Sequence, residues 1–95
     1  MNAVALTVNF FGGLREVTKG EKNVQVTATS VKTLLDHLAS MYGNAFKERV
    51  LDPTGAPKRF INILVNNKDI RFLKNLETEL KEGDEVILLP AVGGG

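Results

Sequence analysis

Catalysis by side chains needs groups that move protons, attack electrophiles or hold metals, and this sequence offers few. It has no cysteine and a single histidine, His37. Disulfides, a Cys nucleophile and the common zinc ligand sets are therefore excluded. His37 falls inside an apolar-periodic helix, off its apolar stripe, and reads as solvent-facing. Ser30 and Ser40 have no recognisable base partner. Glu77, Glu79, Glu82 and Glu85 crowd one late stretch, but a hard cation needs converging oxygens, and the run reads as a solvated turn. Gly12-Gly13 lacks the downstream Lys-Ser/Thr of a phosphate-binding loop. No metal site and no bound cofactor are expected.

The reactive group that remains is the carboxylate of Gly95, which closes the sequence after Gly93 and Gly94. A carboxylate is a poor electrophile. Joined to AMP at the expense of ATP it becomes a mixed anhydride, from which a sulfur or amine nucleophile can displace AMP. That chemistry requires a slender arm entering another protein's active site, and three residues without Cβ atoms make such an arm. From Pro90 to Gly95 it spans at most roughly 20 Å. Ordering it costs about 1–2 kcal/mol per residue, so a docking patch on the body is expected to offset that cost.

The elements that must position the arm follow from periodicity. Val4–Phe11 alternates, with Val4, Leu6, Val8 and Phe10 on the core face. Gly12–Asn23 is polar and broken by glycines, and Val24–Ala28 alternates again, which predicts a hairpin. Thr29 and Ser30 are both suited to cap a helix whose apolar stripe is Val31, Leu34, Leu35, Leu38, Met41 and Tyr42, with Gly43 as its stop. Asn44–Leu51 holds a second short helical turn, and Asp52–Pro57 is turn chemistry. Phe60–Val65 reads as the third strand and Ile70–Phe72 as a brief edge strand. Leu73, Leu76 and Leu80 lie in a connection that must cover apolar surface. Val86–Leu89 is an apolar run suited to a strand covered on both faces, and pairing is expected to stop at Pro90.

One long amphipathic helix needs one sheet face. The predicted architecture is α+β: a β-grasp, with a mixed four- to five-stranded sheet packed on one main helix and the last strand parallel to the first. Residues 1–89 form the domain and residues 90–95 a flexible glycine tail. With Val86 and Leu88 facing the helix, Ile87 and Leu89 point away, as do Phe11, Phe60 and Leu64. These five are the candidate partner-binding residues, since an exposed apolar sheet face marks an interaction surface.

Composition agrees with a single small globular domain: 95 residues, 43% apolar and 24% charged. The net charge of +1, spread along the chain, argues against a nucleic-acid-binding face. The apolar runs are too short to cross a bilayer. A cytoplasmic location is expected, without nucleic-acid or membrane partners.

The sequence resembles the MoaD/ThiS family of ubiquitin-like sulfur-carrier proteins over essentially its whole length. The likeness rests on Phe10-Phe11 followed by Leu14-Arg15-Glu16, on Val65-Asn66, on Gly83-Asp84-Glu85-Val86, and above all on Leu89-Pro90-Ala91-Val92-Gly93-Gly94-Gly95. The resemblance implies that Gly95 is adenylated by a ubiquitin-activating-type enzyme, which consumes ATP, and is then converted to a thiocarboxylate that donates sulfur. It makes Gly93 and Gly94 the narrow neck, and Phe11 and Leu89 match positions the family uses for docking. Gly93 departs from the Ala, Thr or Ser often found there, which loosens the neck without disabling it. The second half is most similar to carriers that feed cysteine biosynthesis, through Arg49–Pro53, Arg59–Ile63, Asp69–Phe72 and Leu88–Val92. The acceptor would then be a pyridoxal-phosphate enzyme; the large subunit of molybdopterin synthase is the other candidate. Two further readings stay open: a protein modifier joined to lysines through Gly95, and a non-covalent β-grasp binding module. In none of them is the chain itself an enzyme.

Overall fold

Residues 3–90 are described by the computed structural model. The opening alternation becomes β1, Val4–Phe10, with Leu6, Val8 and Phe10 buried. It pairs antiparallel with β2, Asn23–Ala28, in a register from Val4 opposite Ala28 to Asn9 opposite Asn23. The segment between them is more ordered than its polar composition predicts. Gly12–Val17 coils into a 3-10 turn that buries Leu14. Thr18 follows, fully buried, its hydroxyl donating to the Glu21 carbonyl at 2.8 Å and so leaving no orphaned polar atom.

Helix α1 spans Val31–Tyr42. Ser30 caps it: its hydroxyl accepts from the Thr33 amide, and the Thr33 hydroxyl accepts from the Ser30 amide at 2.9 Å. This is a capping box with threonine in the place glutamate usually takes. The predicted stripe is buried through Val31, Leu34, Leu35, Leu38 and Tyr42, with Met41 half-buried at its margin. Gly43 separates α1 from α2, Asn44–Val50, which buries Phe46 and Val50 completely. The rings of Phe10, Tyr42 and Phe46 meet with centroids 5.8 to 6.4 Å apart, edge-on where Phe10 meets each of the others.

The sheet is completed by β3 (Ile61–Val65), β4 (Lys68–Asp69) and β5 (Glu85–Pro90), in the order β2-β1-β5-β3-β4. As the topology argument requires, β5 runs parallel to β1, and it is antiparallel to β3. Val86 and Leu88 are fully buried beneath the helix. The fold is the α+β β-grasp.

Three boundaries differ from the sequence reading. Ile70–Phe72 is a 3-10 turn, not an edge strand. Asn66 and Asn67 both take positive φ, 50° and 72°, a two-residue hairpin turn that puts pairing on Lys68 and Asp69 at once. The Asp69 carboxylate then accepts from the Arg71 amide at 2.8 Å and coils the next residues. Pairing also includes Pro90, opposite Ile61; in the antiparallel alternation this position's missing N–H would have pointed away from β3. Of the three leucines in the last connection, Leu80 is buried and Leu76 packs on the core, whereas Leu73 is exposed.

Candidate functional site

The outer face of the sheet follows from register. Strand β5 lies between β1 and β3, and its residues alternate in depth: Val86 and Leu88 are buried, Ile87 and Leu89 half-buried on the opposite side. Ile87 stands between Asn9 of β1 and Leu64 of β3, and Leu89 stands beside Asn62. Phe11, one residue past β1, keeps the ladder going by donating its amide to the Leu88 carbonyl at 3.1 Å. Its side chain is 43% exposed. Four predicted residues, Phe11, Leu64, Ile87 and Leu89, thus share one face across three adjacent strand positions. Thr7 and Glu85 form the polar row behind them. On the β4 side Asp69 pairs with Arg71 at 2.9 Å, and Arg71 also donates to Asn62. The Arg71 guanidinium, foremost by hydrogen bonding, holds the Asp69 carboxyl below the usual carboxylate range. The apolar centre is thus bordered by polar side chains that are themselves hydrogen-bonded.

Phe60 is placed differently. It lies in the turn before β3, 49% exposed, and lines a cleft with Val17, Ala45, Glu48, Arg49 and Lys58. It therefore flanks the end of β5 on the α2 side and is separate from the rows on the sheet.

The end of β5 is held by residues whose part the sequence reading missed. Gly12 has φ of +61°, and a Cβ there would come within 3.2 Å of Pro90 Cγ. Arg49 Nη1 donates to the Gly13 carbonyl at 3.1 Å while Nη2 pairs with Glu16 at 3.3 Å. Arg15 Nε donates to the Phe10 carbonyl at 3.1 Å. Gly12 is the close seat on which Pro90 rests, and a Cβ at Gly13 would come within 3.3 Å of Arg49 Nη1. The doublet itself was the available signal. Phe72, in the 3-10 turn after β4, is 82% exposed.

Gly93, Gly94 and Gly95 lie outside the described residues. His37 is exposed on α1, and its Nδ1 lies 3.2 Å from the Thr27 carbonyl on β2. Among the described residues no group of three or more His, Cys, Asp or Glu side chains is arranged to hold a metal. No helix among them is long and apolar enough to cross a membrane.

Comparison with known proteins gives consistent relatives. The sequence matches the ThiS family over residues 8–95. It is 38% identical over 92 residues to the sulfur carrier protein CysO of Mycobacterium tuberculosis, covering 95% of this chain and 98% of that one. Among solved structures it is similar to Amycolatopsis orientalis CysO, seen in a BexX/CysO complex, with a TM-score of 0.83 and 39% identity over 95% of this chain and 99% of the other. It is also similar to small archaeal modifier protein 1 of Methanosarcina acetivorans, with a TM-score of 0.86 and 33% identity over 100% of both chains.

Proposed function

Because this chain belongs to the ThiS family, as a ubiquitin-like sulfur carrier related to CysO and not an enzyme in its own right, we propose that the carboxyl group of Gly95 is the atom-bearing site of sulfur transfer. A carboxylate oxygen attacks the α-phosphate of ATP in a ubiquitin-activating-type enzyme, and pyrophosphate leaves. A sulfide-level nucleophile then attacks the acyl carbon of the mixed anhydride. AMP departs with the carboxylate oxygen, leaving a thiocarboxylate. The observation that carries this reading is the position of β5. A strand paired on both sides ends at Pro90, seated on Gly12 beside an apolar outer face, and the next five residues finish with three glycines.

The apolar face of Phe11, Leu64, Ile87 and Leu89, with Phe60 on the flank, docks the carrier on its partner enzymes. The relative solved together with BexX supports a partner docked on a carrier of this fold. For the sulfur acceptor we favour a pyridoxal-phosphate enzyme of cysteine or homocysteine type, supported by the likeness to CysO carriers; a molybdopterin-synthase large subunit is the other candidate. The similarity to a small archaeal modifier protein supports a second reading, in which a lysine amine displaces AMP and Gly95 is joined to a protein.

Intact-mass measurement of untagged protein from its own host tests the proposal. A species with one oxygen replaced by sulfur, mapped to the Gly95 carboxyl, is the expected result. Only unmodified mass, even after incubation with ATP, sulfide and the host's activating enzyme, would sink the carrier chemistry. A ladder of lysine conjugates that disappears on deletion of Gly95 would favour the modifier reading. Full function without Gly95 would leave a non-covalent binding module.

A further inference from the structure

Resting on the reading above, we propose that the end of the molecule from which the tail departs is a basic docking surface for an acidic face of the activating enzyme, with Lys58 and Arg59 at its centre. Charge on this chain is nearly balanced in sum, at +1, and basic groups gather at one end. Around the end of β5 stand Arg15, Arg49, Lys58 and Arg59. Arg15 bonds the carbonyl of Phe10, opposite Leu88; Arg49 bonds Gly13, beside the Gly12 seat of Pro90; Lys58 and Arg59 precede Ile61, which pairs with Pro90. The carboxylates there are Glu16, Glu48, Asp52, which lines a cleft with Lys58 and accepts from Thr54 and Ala56, and Asp69, which lines another with Lys58 and Arg59 and is paired with Arg71. Glu16 is taken up by Arg49, and Lys58 Nζ donates to the backbone carbonyl of Glu48, not to its carboxylate. Arg59 is exposed and has no ion-pair partner among the described residues.

The other end of β1 and β5 carries Glu77, Glu79, Glu82, Asp84 and Glu85, with Lys32, Lys68, Lys74 and Lys81 among them. Glu82 accepts from the Ala5 amide at 3.1 Å, the Asp84 carbonyl accepts from Thr7, Glu85 lies opposite Thr7, and Glu79 bridges Ser30 at the start of α1. The six residues of β5 separate the two ends by roughly 17–20 Å. That exceeds the screening length of about 8 Å at physiological salt, so a partner at one end does not feel the other.

The occupant follows from reach. Residues 91–95 extend at most about 17 Å beyond Pro90. Whatever enzyme reacts with Gly95 must approach this collar, and an acidic face is the one that complements Lys58 and Arg59, neither of them ion-paired among the described residues. The cleft of about 400 Å³ that Phe60, Val17 and Ala45 line between Arg49 and Lys58 gives that face an apolar foothold. Such a surface speeds productive encounter and orients the tail toward the active site.

Kinetics of ATP–pyrophosphate exchange by the host's purified ubiquitin-activating-type enzyme test this, with the full chain as the varied substrate. For Lys58→Glu/Arg59→Glu the KM for the carrier should rise about tenfold at low salt with kcat unchanged. The gap should close as salt is raised. Arg59→Glu alone, whose side chain holds nothing else in place, should give part of the rise, and Arg59→Lys should restore wild-type KM. Charge reversal at the far end, Glu77→Lys/Glu79→Lys, should leave KM within about twofold, since exposed charges beyond a screening length contribute little. Equal KM for wild type and both Glu variants would overturn the surface while leaving the proposed function standing. No exchange with wild type would overturn both. Salt-sensitive self-association of the free chain, removed by Arg59→Glu, would assign the surface to a second copy's carboxylates and overturn the enzyme as its occupant.

Discussion

Leu89 and Gly12 hold opposite kinds of position at the end of β5. Leu89 has spare surface facing outward, so its side chain can be changed without disturbing the core. Leu89→Asp places a charge in the centre of the apolar rows, and a buried unpaired charge at an interface is costly. Affinity for the activating enzyme, measured by calorimetry, should fall by about 2 kcal/mol or more, roughly thirtyfold. The melting temperature should hardly move. Gln25→Asp, an exposed position of β2 away from the rows, should leave affinity unchanged. Equal loss at both positions would remove the patch. Gly12 has no such freedom. A Cβ there meets the left-handed backbone penalty of about 1–2 kcal/mol and then the ring of Pro90. Gly20, at φ of +78° with open space around it, meets the penalty alone. Gly12→Ala should therefore lower the melting temperature more than Gly20→Ala, where each 1 kcal/mol is worth roughly 4–8 °C in a domain of this size. Identical shifts would mean that Pro90 is not seated on Gly12.

Helix α1 and the segment after β1 are joined by one hydrogen bond, and it carries a pH dependence. The Tyr42 hydroxyl donates to Glu21 at 2.6 Å. Burial first, then the bond to Glu21 and its negative charge, raise the Tyr42 pKa well above its usual value near 10. The folded state thus holds this proton more tightly than the unfolded one. Its contribution is complete below pH 10 and is lost as pH climbs beyond that. Urea midpoints should fall on the alkaline side in the wild type and fall less in Tyr42→Phe, which should also be less stable at neutral pH by about 1.5–3 kcal/mol. Parallel curves would assign the alkaline loss elsewhere. At this scale the sequence was legible wherever one face is apolar. The α1 stripe, its Ser30 cap and the alternation of β1 and β5 were set by repeated residues that agree with each other. The positions of Phe11, Leu64, Ile87 and Leu89 on the outer face followed from the same alternation. It was silent where one polar atom decides. Leu14 is a lone apolar residue without period, so the Gly12–Val17 turn could not be seen. Ile70-Arg71-Phe72 alternates like a strand, and only the Asp69 carboxylate and the Asn66-Asn67 turn make it coil. Phe60 kept the right parity for the outer face but fell one residue short of β3.

For the whole molecule the decisive fact is that the strand latest in sequence is the middle of the sheet. Strand β5 contacts β1 on one side and β3 on the other, and it supplies the fully buried Val86 and Leu88. Its absence would leave two inner strand edges unpaired and a core without its floor, which no local contact replaces. A chain stopped before Val86 should be unfolded, with no cooperative melting transition. A chain stopped at Pro90 keeps every buried residue and every ladder partner named above. It should melt within about 2 °C of the full chain and bind the activating enzyme through the sheet face and collar, yet undergo no adenylation. This pair of truncations separates the body from the chemistry. A Pro90-terminated chain that melts much earlier would show that residues 91–95 support the fold, and the reading of them as an arm for reaction would lose its basis. One that still supported ATP–pyrophosphate exchange would move the activated carboxyl away from Gly95. With both outcomes absent, the proposed division stands: residues 3–90 fold and dock, and the Gly95 carboxyl reacts.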